Sequence, residues 1–282
     1  MMRTTKQRKR TALAGAAAAL VLVLVPETAS AEKWWQRFYV RGGVTRVAPL
    51  EQSREMELAN VDGAASLAVQ NGPIEGSGAT VSSTTIFGLN LGVKIPEVRR
   101  GFSIELVAGA PLPTLKFRAT GTLANESIAP TALGIPTGVP ALGAELGEAT
   151  AAPVVLTAVY KFRDRGLLQP YAGAGPALLI AMSQKITNPI LTEVSQPEFD
   201  IAPAPGLVLQ AGLDVKLYKS VYARVDVKFI AFMLARAEVK HAQVRAPALP
   251  LFDTVEVGTA KMSMWVNPLI VTAGVRFDFT MF

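Results

Sequence analysis

Alternation is the feature of this sequence that leaves the fewest folds open. Along Thr84–Ile95, Phe87, Leu89, Leu91 and Val93 take every second position, with Gly88, Asn90, Gly92 and Lys94 between them. Successive side chains of an extended strand point to opposite faces, so this spelling makes one apolar and one polar face. A helical period of 3.6 would scatter the charges into the apolar stripe. Seven more segments read the same way. Trp35–Val47 sets Phe38, Val40 and Val44 against Tyr39, Arg41 and Thr45, and Phe102–Phe117 sets Phe102, Ile104, Leu106 and Ala108 against Ser103 and Glu105. Pro153–Phe162 sets Val154, Leu156, Ala158, Tyr160 and Phe162 against Thr157 and Lys161. Pro170–Met182 is rich in glycine and alanine, and Gly206–Tyr218, Val221–Val239 and Val266–Met281 alternate clearly. Each segment reaches the roughly 9–11 residues that a tilted strand needs to cross a bilayer.

The connections add an independent constraint. They run long, short, long, short, long, short, long: 50–83, Pro96–Gly101, 118–152, Arg163–Gln169, 183–205, Lys219–Ser220 and 240–265. Transmembrane barrels of the outer-membrane type have short periplasmic turns and longer extracellular loops. Long connections at both ends of such a series require an even number of strands and two periplasmic termini. The expected fold is all-β: an eight-stranded antiparallel up-and-down transmembrane β-barrel with long extracellular loops and short periplasmic turns. The loops are rich in Gly, Ala, Pro, Ser and Thr, Ala124–Ala152 most of all, and are expected to be mobile or only locally ordered.

The first residues place such a barrel outside the cytoplasm. Arg3, Lys6, Arg8, Lys9 and Arg10 precede the apolar run Thr11–Val25, and Pro26 and the small residues Ala29-Ser30-Ala31 follow. That order predicts an export signal, residues 1–31, cleaved after Ala31, ahead of a barrel domain of residues 32–282. An uncleaved membrane helix needs about 20 apolar residues, more than this run supplies. Removing 1–31 takes away five bases and one acid, so the net charge falls from +6 to +2 and gives no ground for nucleic-acid binding. The chain is 50% hydrophobic, yet beyond Ala31 its apolar residues are dispersed, as lipid-facing strands require. The partners this implies are outer-membrane lipid, a small hydrophobic solute, and the outer-membrane insertion machinery during biogenesis.

Two layers are expected inside. The inward positions near the periplasmic ends are Arg41, Lys94, Glu105, Lys161, Asp214, Lys216, Arg224, Asp226, Lys228, Arg276 and Asp278. Unpaired buried charge is costly, so these groups are expected to pair into a floor that fills the narrow barrel; ion conduction is the competing reading. Nearer the extracellular ends the inward positions are Ile86, Val107, Val155, Val208, Ile230, Phe232 and Leu234, an apolar lumen suited to a small hydrophobic ligand. Ordinary core packing, or a bulge that reverses facing, would account for the same residues. Trp34, Trp35, Tyr160, Phe162, Tyr218 and Phe279 fall near the periplasmic strand ends, where an aromatic girdle is expected.

Catalysis finds little material. The chain has one histidine and no cysteine, so neither a Ser-His-acid set nor a thiolate metal site is expected. His241 reads as a loop residue. Glu105 with Asp214 or Asp226 would make a carboxylate pair, but the surrounding bases point to ion pairing. The chain is read as a non-enzyme without cofactor or metal.

Several segments together resemble the OmpW family of outer-membrane barrels. Val40-Arg41-Gly42-Gly43-Val44 through Pro49 is similar to that family's first strand, and Leu106-Val107-Ala108-Gly109-Ala110-Pro111 to its third. Gln169-Pro170-Tyr171-Ala172-Gly173-Ala174-Gly175, Leu209-Gln210-Ala211-Gly212-Leu213-Asp214, and Asn267-Pro268 through Gly274-Val275-Arg276-Phe277 follow in order. The resemblance implies an eight-stranded barrel whose apolar upper lumen passes small hydrophobic molecules. The sequence departs from the family in its longer first two loops and in Phe282, an aromatic off the odd-numbered register of Val275, Phe277 and Phe279.

Overall fold

A computed structural model of the chain describes residues 34–50, 52–107, 112–248 and 254–279; the expected export signal, Ala108–Pro111 and Phe282 lie outside them. Eight strands form the barrel: β1 (Phe38–Ala48), β2 (Thr84–Lys94), β3 (Phe102–Val107), β4 (Glu145–Lys161), β5 (Leu168–Ile186), β6 (Ala204–Tyr218), β7 (Val221–Ala231) and β8 (Leu269–Asp278). All belong to the unit Trp35–Phe282. Each strand pairs antiparallel with its neighbours in sequence, and β8 pairs with β1, so the sheet closes. Closure satisfies every ladder internally, the condition for exposing a sheet to lipid.

Burial follows the alternation. On β7, Tyr222, Arg224, Asp226, Lys228 and Ile230 are buried, while Val225 and Val227 are exposed. Val44, Phe87, Leu91, Leu209, Val271 and Phe277 are exposed on the outer wall of other strands, a belt of large apolar side chains that water would not favour and lipid would. The three short turns lie between β2 and β3, β4 and β5, and β6 and β7, as the connection lengths predict.

Three expected strands differ at their loop ends. The described part of the third is Phe102–Val107, and a separate strand, Thr114–Gly121, pairs with the upper part of β4. The eighth starts only at Leu269, after Asn267 with its positive φ and Pro268. The seventh breaks after Ala231. Phe232 adopts φ 61, and the chain resumes at Leu234–Lys240. Asn267 holds this bulge: its Oδ1 accepts from the Met233 backbone N–H at 3.1 Å, and the Met233 carbonyl accepts from Val266 at 2.9 Å. A residue with positive φ inside a strand shifts the pleat by one, so the facing beyond it inverts.

The long connections were expected to be mobile or locally ordered; the described parts instead build a cap. β4 and β5 run 17 and 19 residues, well past a bilayer's thickness, and carry the wall upward. Ser77–Val81 and Thr114–Gly121 extend that sheet. A second sheet runs Glu198–Ile201, Leu234–Lys240, Thr259–Trp265, Glu57–Ala59 and Gly72–Pro73. Met56, Leu58, Leu123, Leu142, Leu146 and Val257 are buried between them, in one core continuous with Val155, Val208, Ile230 and Met233 of the barrel. These apolar residues give the cap its order; Gly and Pro only shape its turns.

Candidate functional site

The lumen has a charged floor whose members partner each other. Asp214 is fully buried and accepts from Lys161 Nζ at 2.7 Å, Arg276 Nη1 at 2.8 Å and Arg224 Nη1 at 3.0 Å. Glu105 accepts from Arg41, from Tyr39 Oη at 2.7 Å and from Gln210 Nε2 at 3.2 Å. Asp226 takes Lys228, Tyr171 Oη at 2.8 Å and Gln210 Nε2 at 2.7 Å, with Arg224 at 3.5 Å. Nearest the turns, Asp278 joins Lys94 at 2.7 Å and Arg276 Nε at 2.6 Å. Multiple charge-assisted bonds to each carboxylate compensate for taking these ions out of water.

Of the eleven floor residues expected, ten stand in this network. Lys216 does not: it is exposed at the turn end, beside a register shift between Lys216 and Tyr218 that ends the alternation. It is still paired with the buried Tyr222, on the same face as Asp214, and is exposed because it lies at the open rim of the barrel, below the other charges. Tyr39, Tyr171, Tyr222 and Gln210 share the floor without having been singled out. Arg276 stacks on Tyr39 with its guanidinium carbon 4.1 Å from the ring centre, and Arg224 on Tyr171 at 3.8 Å. Each of these two tyrosines faces a glycine on the next strand, Tyr39 opposite Gly92 and Tyr171 opposite Gly212. A Cβ on either glycine would fall 2.1 Å from its tyrosine, so the rings lie in seats that only glycine leaves open. A Tyr–Gly pair across neighbouring inward positions is the sequence signal that would have revealed them.

Above the floor is a cavity of about 90 Å³. Its apolar lining includes Ile86, Val107, Val155 and Ile230, with Met233 and Ile270, and Val208 is buried in the same core. Phe232 and Leu234 were expected among them and are not. Phe232 is 71% exposed on the outer side of the bulge, and Met233, 2% exposed, takes the inward position. Leu234 is partly buried and does not line the cavity. The positive φ at Phe232 is the cause. Higher still, a second cavity of about 60 Å³ lies inside the cap among Met56, Leu58, Phe117, Leu146, Phe199 and Met262.

His241 lies in the cap, exposed, with its Nδ1 3.0 Å from Glu256 Oε1. Glu105, Asp214 and Asp226 each hold arginine or lysine, so they form ion pairs and not a carboxylate couple.

Comparison with known proteins agrees with this architecture. The OmpW family profile matches residues 36–279. The outer membrane protein OprG from Pseudomonas aeruginosa superposes with a TM-score of 0.62 at 19% identity, covering 85% of this chain and 94% of that one. The outer membrane protein AlkL gives 0.47 at 16% identity, covering 90% and 95%. Escherichia coli outer membrane protein W gives 0.43 at 14% identity, covering 86% and 97%. No curated relative matches the sequence.

Proposed function

The chain belongs to the OmpW family of outer-membrane barrels, and from that premise we propose that it binds or passes small hydrophobic molecules through its upper chamber. It resides in the outer membrane of a diderm bacterium, surrounded by lipid, with the cap extracellular and the short turns periplasmic. The observation that carries the reading is the vertical order of the lumen: an apolar chamber lined by Ile86, Val107, Val155 and Ile230 stands directly on a floor of paired charges. Burying an alkyl group against such walls is favourable by about 0.8 kcal/mol per CH₂. The floor beneath presents ions already bonded to one another, so an apolar solute gains nothing by moving down through it. On this reading the chamber is loaded from the cap side. Insertion of the barrel would use the outer-membrane insertion machinery.

The test is to fill the chamber. Ala177 is buried on β5 and lines it, so Ala177→Phe grows a ring into the space from a wall position. Cells carrying the variant are expected to take up octane no faster than cells lacking the protein, while the barrel still shows its heat-dependent shift on gels. Parent-like uptake with a folded variant refutes the chamber. It would favour a second reading, a surface-interaction barrel whose long extracellular loops contact partners. The exposed Leu133 and Ile135 on the cap hairpin formed by Thr131–Ala132 and Ile135–Pro136 support that reading.

A further inference from the structure

The chamber is apolar on its walls and polar at its foot. Lys228, Asn90, Thr45 and Thr272 close its lower end. The space continues into a recess of about 10 Å³ lined by Arg41, Arg224 and Asp226, with Gly88, Asn90 and Thr272 bordering both. The recess is open because Gly88, Gly43 and Gly274 lie side by side across β2, β1 and β8 and put no side chain into the lumen. Two further facts concern charge. The floor network holds six cations, Arg41, Lys94, Lys161, Arg224, Lys228 and Arg276, against four carboxylates, Glu105, Asp214, Asp226 and Asp278. The buried Nε atoms of Arg41 and Arg224 have no hydrogen-bond acceptor among the described residues.

We propose that the chamber binds an unbranched aliphatic carboxylate head-down, its carboxylate at the foot beside Lys228 and its tail along Ile230, Val155 and Ile86. This rests on reading the chamber as a hydrophobic binding site and narrows the ligand to amphiphiles with one anionic head. The foot offers donors of three kinds: the Lys228 ammonium, the Asn90 amide, and the Thr45 and Thr272 hydroxyls, which lie 3.0 Å apart. A surplus of buried cations favours an added anion over a neutral head, and strongly over a cationic one. Asp226 faces the same recess, but its oxygens already accept from Lys228, Tyr171, Gln210 and Arg224. The apolar walls above offer no partner for a second polar group.

The experiment uses the mature protein in lipid nanodiscs, loaded with a neutral fluorescent naphthylamine, with empty nanodiscs as the blank. Decanoate, decanol and decyltrimethylammonium compete for the probe. Decanoate is expected to displace it at about tenfold lower concentration than decanol, the worth of one hydrogen bond to a charged group, and decyltrimethylammonium is expected to be weakest. Asp226→Asn/Lys228→Gln exchanges the ion pair for two amides of similar shape, and should collapse the decanoate-to-decanol ratio to about one. Lys228→Arg should retain the preference. Equal displacement by decanoate and decanol in the parent overturns the carboxylate assignment and leaves the chamber standing. A ratio that survives in the double variant overturns the role of Lys228. Failure of all three to displace the probe overturns the chamber reading itself.

Discussion

Asp214 is where the floor is most exposed to a single substitution. Asp214→Asn keeps the side chain's size and removes the charge that Lys161, Arg224 and Arg276 share. The three cations are left unequally. Arg276 keeps Asp278 at 2.6 Å, and Arg224 keeps Asp226 at 3.5 Å and Glu105 at 3.8 Å. Lys161 keeps no carboxylate among the described residues, only the neutral Gln169 Oε1 at 2.9 Å and the Tyr222 ring, 5.3 Å from its Nζ. Breaking a buried pair by removing one partner costs about 3–5 kcal/mol, and most of that loss should fall on Lys161. A second substitution, Lys161→Met, should then restore about 1–3 kcal/mol, the coupling expected of groups in one network. Urea unfolding of the refolded barrel in lipid vesicles, followed by tryptophan fluorescence, measures both variants. The reasoning fails if Asp214→Asn lies within about 1 kcal/mol of the parent, or if the double variant is less stable than the single.

Two further substitutions probe the wall and the bulge. A Cβ on Gly43 would lie 2.4 Å from the Ala273 carbonyl oxygen and 2.6 Å from Gly274 Cα, backbone atoms that cannot turn aside; Gly43→Ala should therefore yield no heat-shifted folded band, and a parent-like band would refute this. Phe232→Asp should leave naphthylamine binding at the parental level, because that side chain faces outward, whereas Met233→Asp should abolish it by placing an unpaired carboxylate on the chamber wall. The reverse result would refute the inverted facing.

Strand identity and order were legible because lipid on one face and a filled lumen on the other force a period of two, which Val221–Ala231 keeps from end to end. The floor was legible for the same reason. Arg41, Glu105, Asp214, Arg224 and Asp226 fall on inward positions where charge must be paired. The chamber was read only in part. The run Ile230-Ala231-Phe232-Met233-Leu234 contains neither Gly nor Asn to mark a bulge, and the side chain that fastens it, Asn267, is more than thirty residues away. The cap was hidden differently. In its core, Leu123 stands alone among small residues, and Met56-Glu57-Leu58 and Val255-Glu256-Val257 alternate over only three positions, too few to read as strands; tertiary packing brings them together.

The register at the β1–β8 seam has a consequence for assembly. Arg41 stands directly opposite Arg276 there, one like charge against another. Neither supplies the other's counterion: Arg41 depends on Glu105 from β3, and Arg276 on Asp214 from β6 as well as Asp278 beside it. A partial sheet that brought β1 to β8 with β3 or β6 missing would enclose two repelling guanidiniums, and a slip of one residue would turn them toward lipid. The seam thus works as a check on strand count and register, favouring closure once all the acids are in place.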